Sequence, residues 1–183
     1  MKIIGKKIIH YREIDSTNDE AKRLIDKGLS EGAVIVADSQ TKGRGKPGSS
    51  WFSLSKAGIY LSVIVKPHKN PKDIASITIL GARAVINVIQ QVAGLKAEIK
   101  LPNDVILNGK KVCGVLTERL ASGHIIIGIG LNVNHLENSF PDELKDLATS
   151  LKIETRKSFD LREARDKLIR ELDKEYLAYL NKI

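Results

Sequence analysis

Residues 97–133, AEIKLPNDVILNGKKVCGVLTERLASGHIIIGIGLNV, read as four short strands separated by three turns. Strands are expected at 97–101, 104–107, 112–119 and 124–133, with breaks at Pro102, Asn108-Gly109 and Ala121-Ser122-Gly123. Asn-Gly between two apolar runs is a strong two-residue hairpin signal, because both residues tolerate positive φ. Consecutive hairpins make neighbouring strands antiparallel, so this stretch predicts the body of a mixed or antiparallel sheet.

Working outward from it, Ile74, Ile77, Leu80, Ala84, Val85, Val88 and Val92 follow a helical period that Gly94 closes. Asn70-Pro71 is the expected start, with Asn as cap and Pro at the first helical position. Upstream, 58–66 (GIYLSVIVK), 32–38 (GAVIVAD) and 7–14 (KIIHYREI) read as strands. Between the last two lies Ser16-Thr17-Asn18-Asp19-Glu20, where a hydroxyl followed three residues later by a carboxylate marks a helix start. Ala21, Leu24 and Ile25 give that helix an apolar face, and Gly28 ends it. Beyond Phe159, Leu161, Ala164, Leu168, Leu172, Tyr176 and Leu180 form the stripe of an amphipathic helix. The order β-α-β-loop-β-α-β-β-β-β-α predicts an α+β domain, a mixed or antiparallel sheet covered by helices.

Composition narrows the function classes. At 183 residues, the chain fits a single domain over 1–183. Aromatics are only 4% of the chain, so the core must be Ile, Leu and Val. One Cys excludes a disulfide framework and a Cys-based zinc module. The four His residues show no ligand spacing. No repeat is present, no apolar run approaches the ~20 residues that span a bilayer, and no signal peptide is recognisable, so a cytoplasmic protein without membrane contact is expected. Thirty Lys and Arg against 22 Asp and Glu give a net charge of +8, which favours anionic partners without choosing among them.

Residues 39–50, SQTKGRGKPGSS, form a basic, glycine-rich loop that runs into the single Trp, Trp51. Gly43-Arg44-Gly45-Lys46-Pro47-Gly48 matches G-x-G-x-x-G literally. A dinucleotide fold is nevertheless rejected, because these glycines lead into a strand where a helix is required. The loop is either an anion cradle with cations at Lys42, Arg44 and Lys46, or an ordinary solvated basic loop. Trp51 is either a stacking surface for a fused ring or an anchor against the core. Lys100-Leu101-Pro102-Asn103-Asp104 sets a cation, an amide and a carboxylate around a proline break. There Lys100 could meet a phosphate and Asp104 a metal–phosphate complex, or both are plain bend charges. Gly114 inside an apolar strand points to close approach of another group. Cys113 reads as a small core residue.

Taken in order, these segments resemble the biotin–protein ligase family, also called biotin–[acetyl-CoA-carboxylase] ligase, across roughly residues 10–135. The resemblance rests on Asp15-Ser16-Thr17-Asn18, on Gln40-Thr41-Lys42-Gly43-Arg44-Gly45-Lys46 with Trp51, and on Lys100 to Asp104. It rests also on Lys111-Val112-Cys113-Gly114-Val115-Leu116-Thr117-Glu118, and on the Gly-Ile-Gly-x-Asn-Val-Asn strand at 128–134. It implies the catalytic domain of such an enzyme, with a class II aminoacyl-tRNA-synthetase-like fold. The implied reaction joins biotin to ATP, with Mg2+, as biotinyl-AMP, and then passes the biotinyl group to a lysine of a biotin carrier protein. By the same resemblance Ser16, Thr17, Asn18, Gln40, Gly43, Arg44, Gly45, Lys46, Lys111 and Gly114 line the biotin site. Arg44, Lys46, Trp51, Lys100, Asn103, Asp104 and Lys111 face ATP, with Asp104 beside the metal. Arg44, Lys100 and Lys111 are the expected catalytic cations.

The chain departs from the family pattern at Lys46, where Arg is usual, and at Ser49, where some members carry Arg. It also has Leu101 in place of Trp. The resemblance further implies that the family's small C-terminal β-barrel is absent, that no helix-turn-helix for DNA precedes residue 7, and that pairing through the sheet gives a homodimer. Two other readings compete. One is a ligase or transferase of the same fold handling lipoyl or octanoyl groups, which needs fewer polar contacts. The other is a basic nucleic-acid-binding module, which the lack of aromatic interleaving on the strands and the gathering of cations at one loop and one sheet edge disfavour.

Overall fold

The computed structural model describes residues 2–68, 71 and 73–182. The strands are β1 (Lys7–Ile14), β2 (Ala33–Gln40), β3 (Gly58–Val65), β4 (Glu98–Lys100), β5 (Asp104–Leu107), β6 (Lys110–Arg119) and β7 (Ile125–Asn132). The helices are α1 (Thr17–Asp26), α2 (Ala75–Ala93), α3 (Leu151–Thr155) and α4 (Leu161–Leu180). All seven strands form one sheet in the order β1-β2-β3-β7-β6-β5-β4. Only β1 and β2 run parallel, with α1 as their crossover; every other pair is antiparallel. The expected mixed sheet is present, with its hairpins in the expected order.

Period-two alternation divides the sheet between two cores. Val34, Val36, Leu61, Val63, Ile127 and Ile129 pack with α2 and α4. Ala33, Ile35, Ile64 and Ile126 pack with Ala21 and Ile25 of α1. Being covered on both faces, β3 and β7 are buried along their whole length. That explains why they read as nearly continuous apolar runs. Helix α2 has the length and hydropathy to cross a membrane, but it serves as a core helix here, with Ile77, Leu80, Val85, Val88 and Ile89 buried.

Local signals act where they stand. Ser16 caps α1, accepting from the Asp19 N–H at 3.4 Å. Asp160 caps α4, accepting from the Arg162 and Glu163 N–H groups. Asn108 and Gly109 adopt φ of 50° and 80°, as the hairpin requires. Three expectations need correction. Helix α2 begins at Ala75, beyond Pro71, and has no side-chain cap; Asn70 lies outside the described residues. Ser39 and Gln40, expected in the loop, extend β2, because they pair with Glu13 and Ile14 of β1. Residues 135–158, for which no element was predicted, hold two short 3-10 turns and α3.

Candidate active site

Helix α1 covers only part of its face of the sheet. Strand register sets what lies beyond it. Ser62 of β3 stands opposite Gly128 of β7, which stands opposite Leu116 of β6. One step along, Tyr60, Gly130, Gly114 and Asp104 form a second row. Three positions in these two rows lack side chains, so a cleft of about 200 Å³ opens above them.

The glycines are there for close approach. A Cβ on Gly128 would sit 2.2 Å from Asn18 Oδ1. One on Gly130 would sit 2.3 Å from the Trp51 indole, and one on Gly114 would sit 2.9 Å from the same ring. Asn18 and Trp51 thus lie directly on bare backbone. Gly43 packs against the Trp51 carbonyl, 2.4 Å from a built Cβ, and shapes the base of the loop without lining the cleft.

The end of the cleft beside α1 is polar, buried and bonded. Gln40 Oε1 accepts from the Thr17 N–H at 2.8 Å and from the Thr17 hydroxyl at 3.2 Å. Its amide donates to the Ser53 hydroxyl at 2.9 Å. The Ser62 hydroxyl lies 2.8 Å from Thr17 Oγ1 and 2.6 Å from Asn18 Oδ1. Asn18 Nδ2 donates to Glu118 at 2.8 Å. Ser16, Thr17, Asn18 and Ser62 are all buried. Buried donors and acceptors fixed in this way suit a ligand with a compact polar head and reject one that leaves them unpaired.

The other end carries charge. Lys111 Nζ stands 2.7 Å from Asp104 and 5.4 Å from the centre of the Trp51 ring. A regular strand would put Lys111 and Gly114, three residues apart, on opposite faces. A register shift between Val105 and Ile106 removes that conflict: Val112 and Cys113 are both buried, while Lys111 and Gly114 both line the cleft. The bulge is what aims the lysine. Burial pushes the Cys113 thiol well above its usual range, in keeping with its expected core role. The buried Asn103 Oδ1 and Trp51 Nε1 have no hydrogen-bond partner, and both residues line the cleft.

The glycine-rich loop closes one side. Arg44 Nη1 donates to Asp19 at 2.6 Å, and its guanidinium forks onto both oxygens of Glu118 at 3.0 and 2.7 Å. These bonds, Glu118 foremost, raise the Arg44 pKa. Burial pushes the Glu118 carboxyl up, but Lys22, Arg44 and Asn18 outweigh it and hold it below its usual value.

Of the residues expected at the site, Ser16, Thr17, Asn18, Gln40, Arg44, Gly45, Lys46, Trp51, Asn103, Asp104, Lys111 and Gly114 all line this cleft. Lys100 does not: it stands on the outer strand β4, across from Asp104, with its side chain exposed. Leu101 is likewise turned to solvent and 70% exposed, so it forms no part of the wall. Sequence reasoning missed Ser62, whose only signal was one hydroxyl in an otherwise apolar strand. It also gave no role to Gly128 and Gly130.

The biotin/lipoate A/B protein ligase family model matches residues 11–132. The bifunctional ligase/repressor BirA of Bacillus subtilis is 42% identical over 153 residues, covering 81% of this chain. The biotin–[acetyl-CoA-carboxylase] ligase of Mycobacterium tuberculosis is 33% identical over 184 residues, covering 93% of this chain and 66% of that protein. The chain spans about half (47%) of the length of the Bacillus protein. Among solved structures, the biotin protein ligase from Aquifex aeolicus in complex with biotin and ATP superposes with a TM-score of 0.86. It is 34% identical and covers 97% of this chain and 73% of that one. The family match over residues 11–132 and the superposition along 97% of the chain agree: the chain belongs to the biotin/lipoate A/B protein ligase family.

Proposed function

We propose that this chain catalyses ATP-dependent attachment of biotin to a lysine of a biotin carrier protein, by way of biotinyl-5'-AMP. The carrying observation is one cleft with a bonded polar end, built on Asn18, Thr17, Gln40 and Ser62, joined to a cationic end holding Arg44, Lys46 and Lys111. The polar end takes the ureido ring, which has both donors and a carbonyl to exchange for those groups. The biotin carboxylate then points toward Lys111, and the nucleotide lies along Trp51 and the loop.

In the first step a carboxylate oxygen bonds to the α-phosphorus and the bond to the bridging oxygen breaks, releasing pyrophosphate. Both reactants are anions, so the chain's contribution is charge: Lys111 and Arg44 stabilise the crowded phosphoryl oxygens. In the second step the carrier's lysine nitrogen, as the free amine, bonds to the acyl carbon, AMP leaves with the anhydride oxygen, and the nitrogen's surplus proton passes to solvent. The nucleophile belongs to the partner, so the cleft needs none. Closure of the loop keeps water from the anhydride in the interval.

Mg2+ is part of this reading. No cluster of three metal-ligating side chains exists among the described residues. The Asp104 carboxylate and the unpartnered Asn103 Oδ1 fit an ion held mainly by phosphates. Bound there, the ion would offset triphosphate charge. The reaction's co-substrates fit a cytoplasmic enzyme, and the resemblance to the family adds a homodimer paired through the sheet to this reading. A lipoyl- or octanoyl-handling relative is disfavoured by the buried polar end, which an aliphatic chain would leave unpaired.

Exchange of labelled pyrophosphate into ATP tests the reading. Exchange with biotin, and none with lipoate or octanoate, is the expected result. Exchange that requires an aliphatic acid would overturn it.

A further inference from the structure

The guanidinium that the proposed reaction needs is already occupied. Arg44 makes three hydrogen bonds to Glu118 and Asp19. The glycine-rich loop is a tongue pinned at its base by the Trp51 N–H donating to the Gly43 carbonyl at 2.9 Å. Beyond that base, Arg44 supplies all the side-chain hydrogen bonds that tie residues 43–50 to the rest of the fold, among the described residues. Glu118, in turn, is shared. Lys22 Nζ reaches it at 2.9 Å and Asn18 Nδ2 at 2.8 Å. One carboxylate on β6 therefore touches both the polar end of the cleft and the loop.

This double pairing has a consequence. Stripping the last counter-charge from a half-buried carboxylate is costly. Here, when Arg44 leaves, Lys22 and Asn18 remain on Glu118, so the guanidinium can be surrendered cheaply. We infer that Glu118 is a positioning residue for Arg44: it holds the loop's cation while the cleft is empty and gives it up to the phosphoryl group of the nucleotide, with Lys22 as the standing counter-ion. The inference rests on the proposed reaction for the identity of the phosphoryl group, but the holding contact itself does not.

Two variants of the full chain test it. Glu118→Gln keeps a carbonyl oxygen for Asn18 and removes the charge that competes with phosphate. Amide hydrogen exchange at residues 43–48 of the ligand-free protein should then rise. The apparent KM for ATP should fall about fivefold, the effect of one partly exposed ion pair, with the biotin KM unchanged within about twofold. Lys22→Met should do the opposite to ATP, because Arg44 then becomes the main counter-charge of Glu118. Damage to the fold would raise both KM values in both variants. Unchanged loop exchange in Glu118→Gln, or a raised KM for ATP, would overturn the inference. Loss of biotin-dependent turnover in the unaltered protein would instead count against the proposed reaction, and the loop's amide exchange would still decide the holding role of Glu118.

Discussion

The two ends of the cleft are built on opposite principles. At the α1 end, Thr17, Asn18, Gln40 and Ser62 bond one another, are buried or half-buried, and stand on a bare stretch of sheet at Gly128. Charge there is confined to Glu118 beneath Asn18 and the Lys22 and Arg44 cations paired with it. At the loop end, the bonds made by the cationic side chains are ion pairs: Arg44 with Asp19 and Glu118, Lys111 with Asp104. The first end is ready for its ligand, which exchanges neutral hydrogen bonds and finds the geometry preset. At the second, Arg44 and Lys111 are paired with carboxylates, which the phosphates of the proposed reaction would have to replace. A neutral head can be recognised by shape and bonding; a triphosphate must displace carboxylates.

Substitutions can break that contrast, and the largest effect is expected at Lys111. Lys111→Ala should lower biotin-dependent pyrophosphate exchange about 10³-fold, the scale of losing one charge aimed at a developing anion. Its melting temperature should stay close to that of the unaltered protein, since Lys111 is partly exposed.

The next effect lies outside the cleft and marks its boundary. His135 is fully buried, stacked on Phe140 at 5.0 Å, and burial pushes its pKa down to about 4. The ring is therefore neutral in the fold and takes a proton more readily when unfolded. The His135 contribution to stability should be full above about pH 6.5 and be lost, to the extent of roughly 3 kcal/mol, as pH drops toward 4. Urea titrations across this range should show that limb, and His135→Phe should flatten it without altering biotin affinity at neutral pH.

Two glycines sharpen the contrast. Gly128→Ala displaces Asn18 and should weaken biotin binding about thirtyfold, the worth of one or two buried hydrogen bonds. Gly130→Ala displaces the Trp51 indole and should raise the apparent KM for ATP about tenfold, the worth of one lost aromatic contact, with a smaller change for biotin. Calorimetric titration with each ligand separates the two. If both variants lose both ligands equally, the ends do not act separately.

The sheet was largely legible because its signals are local. Asn108-Gly109 names its own turn, Ser16 names the start of α1, and the nearly continuous apolar runs of β3 and β7 reflect burial on both faces. The start of α2 was misplaced because Pro71 suits a first helical position wherever it occurs, while here the chain runs four residues further before Ala75. At the site, the residues of the Ser16-Thr17-Asn18 segment and the loop came together as expected, since motif order carried them. What pairing creates was not legible. The bulge that turns Lys111 toward Gly114 exists only in the register of β5 against β6. Ser62 matters only because it meets Asn18 of α1, packed on that face of the sheet. Lys100 sits beside Asp104 in the sequence motif and across from it in the sheet, yet β4 is an edge and leaves it in solvent.

The most direct test mixes the protein with biotin and Mg-ATP, removes free ligand by gel filtration, and extracts what stays bound for mass spectrometry. The account predicts about one equivalent of biotinyl-AMP per chain, absent when lipoate or octanoate replaces biotin and strongly reduced in Lys111→Ala. Recovery of an aliphatic acyl-adenylate in its place, or of unreacted ATP and biotin alone, would contradict it.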